Sequence, residues 1–340
     1  AQTWESVEVG YEKALLESGH GAAPLLSGEG YTIPVVDMGR GDEEVARDLW
    51  NAASTVGFFT VTNHGIAEEL IEAAFGVSAA FFGQPREDKE KQSPFAKMQN
   101  SGYEYMAQVR PSTGTPDQKE SLQITCREGC MEGRWPATPQ GFEGVATKLA
   151  AGAHALALRI MSLLEKEACP HIPPGTLARA HTQWTPEGQC TLRMLHYPPM
   201  EASVLEELTE GPKVHWRAGP HTDWDCITLL FQRVGGDGLE CATNPRDTSN
   251  KQGWVAVPPL QGGIAVNIGD MLSRWSDQRL YSNLHRVRMP MVAECSPPKS
   301  RYSIAYFAQA DRTEVIRSKE TEDITAGDYI KSRIASNFAK

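Results

Sequence analysis

No uninterrupted apolar run reaches the ~18 residues that a membrane-spanning helix needs, so no such helix is expected. The chain shows no internal repeat and no low-complexity segment, which argues against solenoid and disordered classes. Positive charge is not in excess. With 33 Lys and Arg against 43 Asp and Glu, the net charge is −10, and neither nucleic acid nor an anionic membrane is an expected partner. A disulfide framework is also missing. The seven cysteines (Cys126, Cys130, Cys169, Cys190, Cys226, Cys241 and Cys295) are odd in number and scattered, as befits reduced thiols. Cys126 and Cys130 stand close, but no second pair completes a zinc site. The stretch Ala1–Glu5 carries neither the basic nor the apolar segment of a secretory leader. The resulting expectation is a cytoplasmic monomer whose partner is a small molecule.

At 40% hydrophobic and 22% charged, the 340 residues can bury a sizeable core. No linker divides them, so a single unit spanning 1–340 is predicted, with a helical and β N-terminal region over 1–120. Glu8–Ser18 has a helical pattern. Ile33–Met38 reads as a short strand, Asp42–Thr55 as a helix and Gly57–Thr62 as a second strand. A turn at Asn63–Gly65 and a helix over Ala67–Phe82 follow. The charge cluster Glu87–Lys91 reads as a solvated face. Gly102–Met106 suggests another strand, Arg110–Gln118 a loop, and Val145–Glu167 the longest helix, with an apolar stripe from Leu149 to Leu164. From about Gln183 the texture changes to short strands and turns, among them Cys190–Tyr197, Trp254–Val257, Ile264–Ile268 and Tyr302–Ala308. That is the pattern of a sandwich or barrel. A final helix is predicted over Thr325–Asn337.

The most informative stretch is Gly219–Phe231. It opens at a turn and runs into apolar and β-branched residues, and it reads as one buried strand. His221 and Asp223 then project from the same face. The pair needs a third metal ligand, for which His285, 62 residues after Asp223, is the best candidate. Two histidines and a carboxylate on one face of a metal form the facial triad of non-haem Fe(II) oxygenases. Further on, Arg301, Ser303, Ala305 and Phe307 share a face at period two. An inward arginine needs an anion, and its planar fork suits a carboxylate. Arg193, Leu195 and Tyr197 share the face of a third strand, where Tyr197 could bond the same carboxylate.

These pieces stand in order with Ile33–Asp37, Gly57–Ile66, Lys119–Leu122, Asn267–Asp270, Leu284–Val287 and Arg301–Ser303. In that order the chain resembles the Fe(II)- and 2-oxoglutarate-dependent dioxygenases, in the branch of isopenicillin N synthase and plant flavonoid oxygenases. The resemblance implies a mixed α and β fold: a double-stranded β-helix (jelly-roll) core over 180–310 carrying the iron site, flanked by helices, with a C-terminal helix over 325–338. It implies Fe(II) held by His221, Asp223 and His285. It also implies 2-oxoglutarate as cosubstrate, its distal carboxylate on Arg301 and Ser303 with Tyr197 assisting, and O2 as oxidant. A role in secondary metabolism is an extension of the same resemblance. Two departures stand out. Leu195 occupies a position where the family often has Asn, and the Pro290–Ser300 segment is longer than usual.

Substrate contacts are expected from Arg193, Phe307, Tyr103, Tyr105, Arg110 and Trp216, each weighed against plain core packing or a structural salt bridge. His64 reads as structural. Three other readings compete. One is an iron oxidase without 2-oxoglutarate, in which Arg301 and Ser303 hold the substrate's own carboxylate. The others are a non-catalytic binding protein and a zinc hydrolase.

Overall fold

A computed structural model of the chain describes residues 23–28, 30–110, 113–210, 213–247, 251–319 and 321–338. The helix expected at Glu8–Ser18 lies outside the described residues. Fifteen strands are present among them. They are β1 (Leu25–Leu26), β2 (Val35–Asp37), β3 (Phe58–Thr62), β4 (Gly102–Tyr105), β5 (Glu120–Thr125), β6 (Thr191–Tyr197), β7 (Ala218–His221) and β8 (Ile227–Gln232). The rest are β9 (Leu239–Ala242), β10 (Trp254–Ala256), β11 (Ile264–Ile268), β12 (His285–Val287), β13 (Arg301–Ala308), β14 (Val315–Ile316) and β15 (Ile324–Thr325). The helices are α1 (Asp42–Thr55), α2 (Glu68–Phe82), α3 (Arg86–Gln92), α4 (Phe142–Ala168), α5 (Thr176–Arg179), α6 (Ala202–Glu210), α7 (Asp270–Trp275) and α8 (Ala326–Phe338).

Two sheets form a jelly-roll sandwich. The larger runs β2-β3-β11-β8-β13-β6-β5-β4 and the smaller β1-β10-β9-β12-β7. Pairing is antiparallel except at β2–β3 and β1–β10. Side-chain alternation gives the large sheet two different faces. Outward go Phe59, Val61, Leu122, Ile124, Leu192, Leu229, Val266 and Tyr306, which join one core with α1, α2 and α4. Helix α4 is long because Ala and Leu recur without a breaker, and its Leu149, Ala153, Leu156 and Ile160 are buried in that core. Inward go Phe58, Leu195, Tyr197, Leu230, Ala305 and Phe307, which meet Ala218, Leu239, Cys241 and Val287 of the small sheet. The space between the sheets is where the site forms.

Gly57 shows why the turn from α1 into β3 needs glycine. Its φ is +73°, and a Cβ there would lie 2.0 Å from the Tyr281 carbonyl oxygen.

The structure revises several readings. Gly219–Phe231 is not one strand. It is β7 in the small sheet and β8 in the large one, joined by 222–226. The α3 charge cluster is not wholly solvated, since Lys89 is buried and pairs with Glu120 at 2.7 Å. Strand β5 went unrecognised because Ser121 and Gln123 make it look polar; those residues face inward, while Leu122 and Ile124 pack against helices. Strand β9 and helices α5, α6 and α7 are short and carry weak periodicity. All seven cysteines are free and buried. Among the described residues, no helix is long and apolar enough to cross a membrane.

His181 lies beneath this core, with its Nδ1–H donating to the Leu177 carbonyl at 2.6 Å. Burial lowers its pKa to about 4. Below pH 6.5 the unfolded chain takes up a proton that the folded chain refuses. Stability therefore falls as pH drops from 6.5 towards 4, by up to about 1.4 kcal/mol per pH unit from this group. We expect denaturant titrations of His181→Asn to show a shallower acid-side slope than the parent. An unchanged slope would show that another group sets it.

Candidate metal centre

His221 is the last residue of β7 and His285 the first of β12, and the two are direct cross-strand partners. Their rings lie 4.2 Å apart, centroid to centroid, with the edge of Phe58 against His285 at 5.3 Å. Each Nδ1–H donates to a nearby backbone carbonyl: His221 to Gly219 at 2.7 Å, His285 to Asn283 at 3.3 Å. That fixes the tautomer and turns both Nε2 lone pairs inward. Burial, with Arg110 and His285 nearby, pushes the His221 pKa well down, which keeps the imidazole neutral.

Asp223 comes from the link between the sheets. Its Oδ2 accepts from Thr228 Oγ1 of β8 at 2.6 Å and from Asn267 Nδ2 of β11 at 2.9 Å. Its Oδ1 faces the histidines, 3.7 Å from His221 Nε2 and 3.6 Å from His285 Nε2. Burial alone would raise its pKa, but His285, the two hydrogen bonds and Arg110 outweigh it and hold the carboxyl below its usual range. Thr228 also lies 2.8 Å from Asp225 Oδ2. One hydroxyl proton cannot serve two carboxylates. Burial and the neighbouring Asp223 push the Asp225 carboxyl well up, so Asp225 carries a proton and donates to Thr228, which donates to Asp223.

The three ligand atoms lie within 4.8 Å of one another, and this is the group of metal-ligating side chains that converges among the described residues. Two imidazole nitrogens and one carboxylate oxygen leave room between them for an ion at ~2.0–2.2 Å bond lengths, and the donor set fits a non-haem Fe(II).

A cavity runs from the triad along the inner faces of β6 and β13 to Arg301, Ser303 and Tyr197. The Arg301 guanidinium donates to the Gly236 carbonyl at 2.8 Å, Gln232 Oε1 at 3.0 Å and Ser303 Oγ at 3.4 Å, and lies 4.8 Å from the Tyr197 ring. No carboxylate lies within 4.0 Å of it among the described residues, so an anion is the missing complement. Leu195 lines the same cavity.

A second, outer compartment opens beside the triad. Of the residues proposed to touch substrate, Arg193, Arg110 and Phe307 line both spaces. Tyr103 and Tyr105 do not line either. They point to the outer, helix side of β4, where Tyr103 bonds Glu120 among Phe81 and Phe82, and Tyr105 lies under Arg86. Trp216 is also outside, stacked on Arg286 at 4.7 Å. Alternation along β4 instead turns Glu104 inward. Lys119, Asn267, Thr228, Trp224 and Ile330 also reach the site and were not anticipated. The pairing of β5 could have flagged Gln123, opposite Arg193. Ile330 could not have been found, because α8 reaches the mouth only through tertiary packing.

The sequence of residues 33–138 matches the family described as non-haem dioxygenase in morphine synthesis N-terminal, and 188–310 matches the 2OG-Fe(II) oxygenase superfamily. A proline hydroxylase of Petromyces alliaceus is 30% identical over 87% of this chain and 94% of its own. The chain belongs to the 2OG-Fe(II) oxygenase superfamily. This oxygenase is also 31% identical, over 84% of its length, to a 2-oxoglutarate-dependent dioxygenase of Aspergillus rugulosus, of which 87% is covered. Among solved structures it superposes on a full-length Neurospora crassa protein in complex with alpha-KG, with TM-score 0.74 and 28% identity over 91% of this chain and 98% of that one. The same Neurospora protein with alpha-KG and thymine gives TM-score 0.75 and 27% identity over 92% and 99%. The oxygenase is thus an Fe(II)- and 2-oxoglutarate-dependent dioxygenase of small metabolites, and the readings as a binding protein, a zinc hydrolase or an oxidase without 2-oxoglutarate fall away.

Behind the triad, Asp270 collects three donors. Thr222 bonds it at 2.9 Å and Ser282 at 2.6 Å, and Arg333 of α8 reaches it at 3.1 Å. Asp270→Ala strands these groups in the interior and should lower unfolding stability by about 3–5 kcal/mol. A thermal melt within a degree or two of the parent would contradict that.

Proposed function

We propose that His221, Asp223 and His285 hold the Fe(II), and that Arg301, Ser303 and Tyr197 bind the distal carboxylate of 2-oxoglutarate. We further propose that the oxygenase hydroxylates a small, polar metabolite seated in the outer compartment. The observation that carries this reading is the single cavity joining the triad to Arg301, an arginine with no acidic partner.

When bound, iron and 2-oxoglutarate supply an O2-derived oxidant able to take a C–H hydrogen, with succinate and CO2 as the other products. The protein's part is placement. The backbone carbonyls of Gly219 and Asn283 hold the two imidazoles in the ligating tautomer. Thr228 and Asn267 occupy Asp223 Oδ2, so Oδ1 is the oxygen that would be offered to a metal. Phe58, Leu195, Leu230, Ala305 and Val287 wall the inner cavity and keep water from it. Arg301 fixes the far end of the cosubstrate, and therefore which of its atoms lie at the metal. Asp117 accepts from Arg110 at 3.0 Å, from Lys119 at 2.6 Å and from the Gly219 amide at 2.9 Å. It thus braces the strand end that carries His221. The thymine complex of the Neurospora crassa protein is compatible with a small polar substrate.

Anaerobic titration with Fe(II), with and without 2-oxoglutarate, tests the assignment by visible absorption. We expect a charge-transfer band that needs both components, and none in His221→Ala. Arg301→Ala should keep iron binding and weaken 2-oxoglutarate roughly 10- to 150-fold, the loss of a charged hydrogen-bond partner. Equal 2-oxoglutarate affinity in Arg301→Ala would remove that residue from the cosubstrate site.

A further inference from the structure

Arg193 stands at the seam of the inner cavity and the outer compartment, beside His221 and Asp223. It is held from behind. Its Nε donates to Gln123 Oε1 at 2.7 Å, and the Phe307 ring lies 4.8 Å from its guanidinium carbon. Gln123 is its partner on β5, and Ala305 its partner on β13, so the side chain is aimed by two strands at once. Its two terminal nitrogens make no hydrogen bond to protein among the described residues, and no carboxylate lies within 4.0 Å. The acids nearby make no ion pair with it. Glu104, inward on β4, accepts from Gln108 through Oε2 at 3.1 Å, and its charge acts on Arg193 only from beyond 4.0 Å. Asp223 is turned to Thr228, Asn267 and the metal position. Asp117 serves Arg110 and Lys119. A guanidinium fixed by Nε with its outer fork free has the geometry for a planar two-oxygen anion.

We propose that Arg193, with Arg110 beside it, anchors a carboxylate of the substrate, so that the substrate class is a small carboxylic acid. This rests on the iron and cosubstrate assignment above and deepens it. Arg110, Lys119, Arg193 and Arg301 line the two spaces, with Asp223 as the lining carboxylate, and Asp117 pairs with Arg110 and Lys119. The excess of guanidinium groups favours an anion, and a neutral amide leaves the Arg193 fork without a counter-ion. The remainder of the substrate would share the outer compartment with Asn100, Gln108, Gln309, Trp224 and Ile330.

The test uses protein loaded with Zn(II) and saturating 2-oxoglutarate, so that Arg301 is occupied and no turnover occurs. Small carboxylic acids, each paired with its own primary amide, and a set of phosphomonoesters are screened by saturation-transfer NMR. We expect wild-type protein to bind acids at least 10-fold tighter than their amides. Arg193→Gln should lose that preference, and Arg193→Lys, which keeps the charge without the fork, should recover part of it. Amides or phosphomonoesters binding as well as the acids overturn the proposal, as do the absence of any bound acid and an undiminished acid preference in Arg193→Gln. The wild-type comparison needs no variant to fold. The iron and 2-oxoglutarate titration separates the two failures: without its band the assignment of the centre falls, whereas an intact band without acid preference removes the substrate class alone.

Discussion

A carboxylate that is to bind a metal through one oxygen must have the other oxygen occupied, and here that second oxygen is held from across the sandwich. Asp223 leaves the small sheet after His221, while Thr228 and Asn267 reach its Oδ2 from β8 and β11 of the large sheet. The triad is therefore a joint between two layers. If the sheets shifted, the two histidines would stay paired on β7 and β12, but Asp223 would lose its restraint. The protonated Asp225 behind Thr228 gives the hydroxyl its orientation without placing a second negative charge beside Asp223.

The same two-layer arrangement explains how so much charge is buried at modest cost. Isolated ions inside a protein are expensive, and pairing with well-placed hydrogen bonds offsets part of that cost. Asp117 compensates both Arg110 and Lys119, Asp270 takes Arg333 with two hydroxyls, and Glu120 meets Lys89 and His196. Against that background Arg301 and Arg193 differ. Each is braced by neutral groups only and opens into a cavity. The buried Arg217, over the Tyr197 ring, likewise has no ion pair among the described residues.

Period-two alternation was enough to place the cavity-lining side chains of each strand on one face. The face Arg301, Ser303, Ala305 and Phe307, and the face Arg193, Leu195 and Tyr197, both turn inward and meet across β13 and β6. The same rule corrects Tyr103 and Tyr105, whose face is the one shared with Leu122 against the helices, because the strand pairs through Leu122 opposite Tyr103. Aromatic character suggested a substrate wall, but register decides which face a residue takes, and register is a property of the pair of strands.

The sequence by itself determined the local elements and the chemistry available. Helix α1 appears over the same residues that its apolar spacing indicates, β11 likewise, and the ordered His221, Asp223, His285 and Arg301 specify the donor set. These depend on neighbours a few residues away or on residue identity. Only tertiary structure decided that Gly219–Phe231 breaks between two sheets, that Tyr103 takes the helix side of its sheet, and that Ile330 comes to the mouth and Arg333 to Asp270 from the far end of the chain. Each of those depends on which strands pair and which layers meet, at separations of up to hundreds of residues, where hydrophobic periodicity carries no information about the partner.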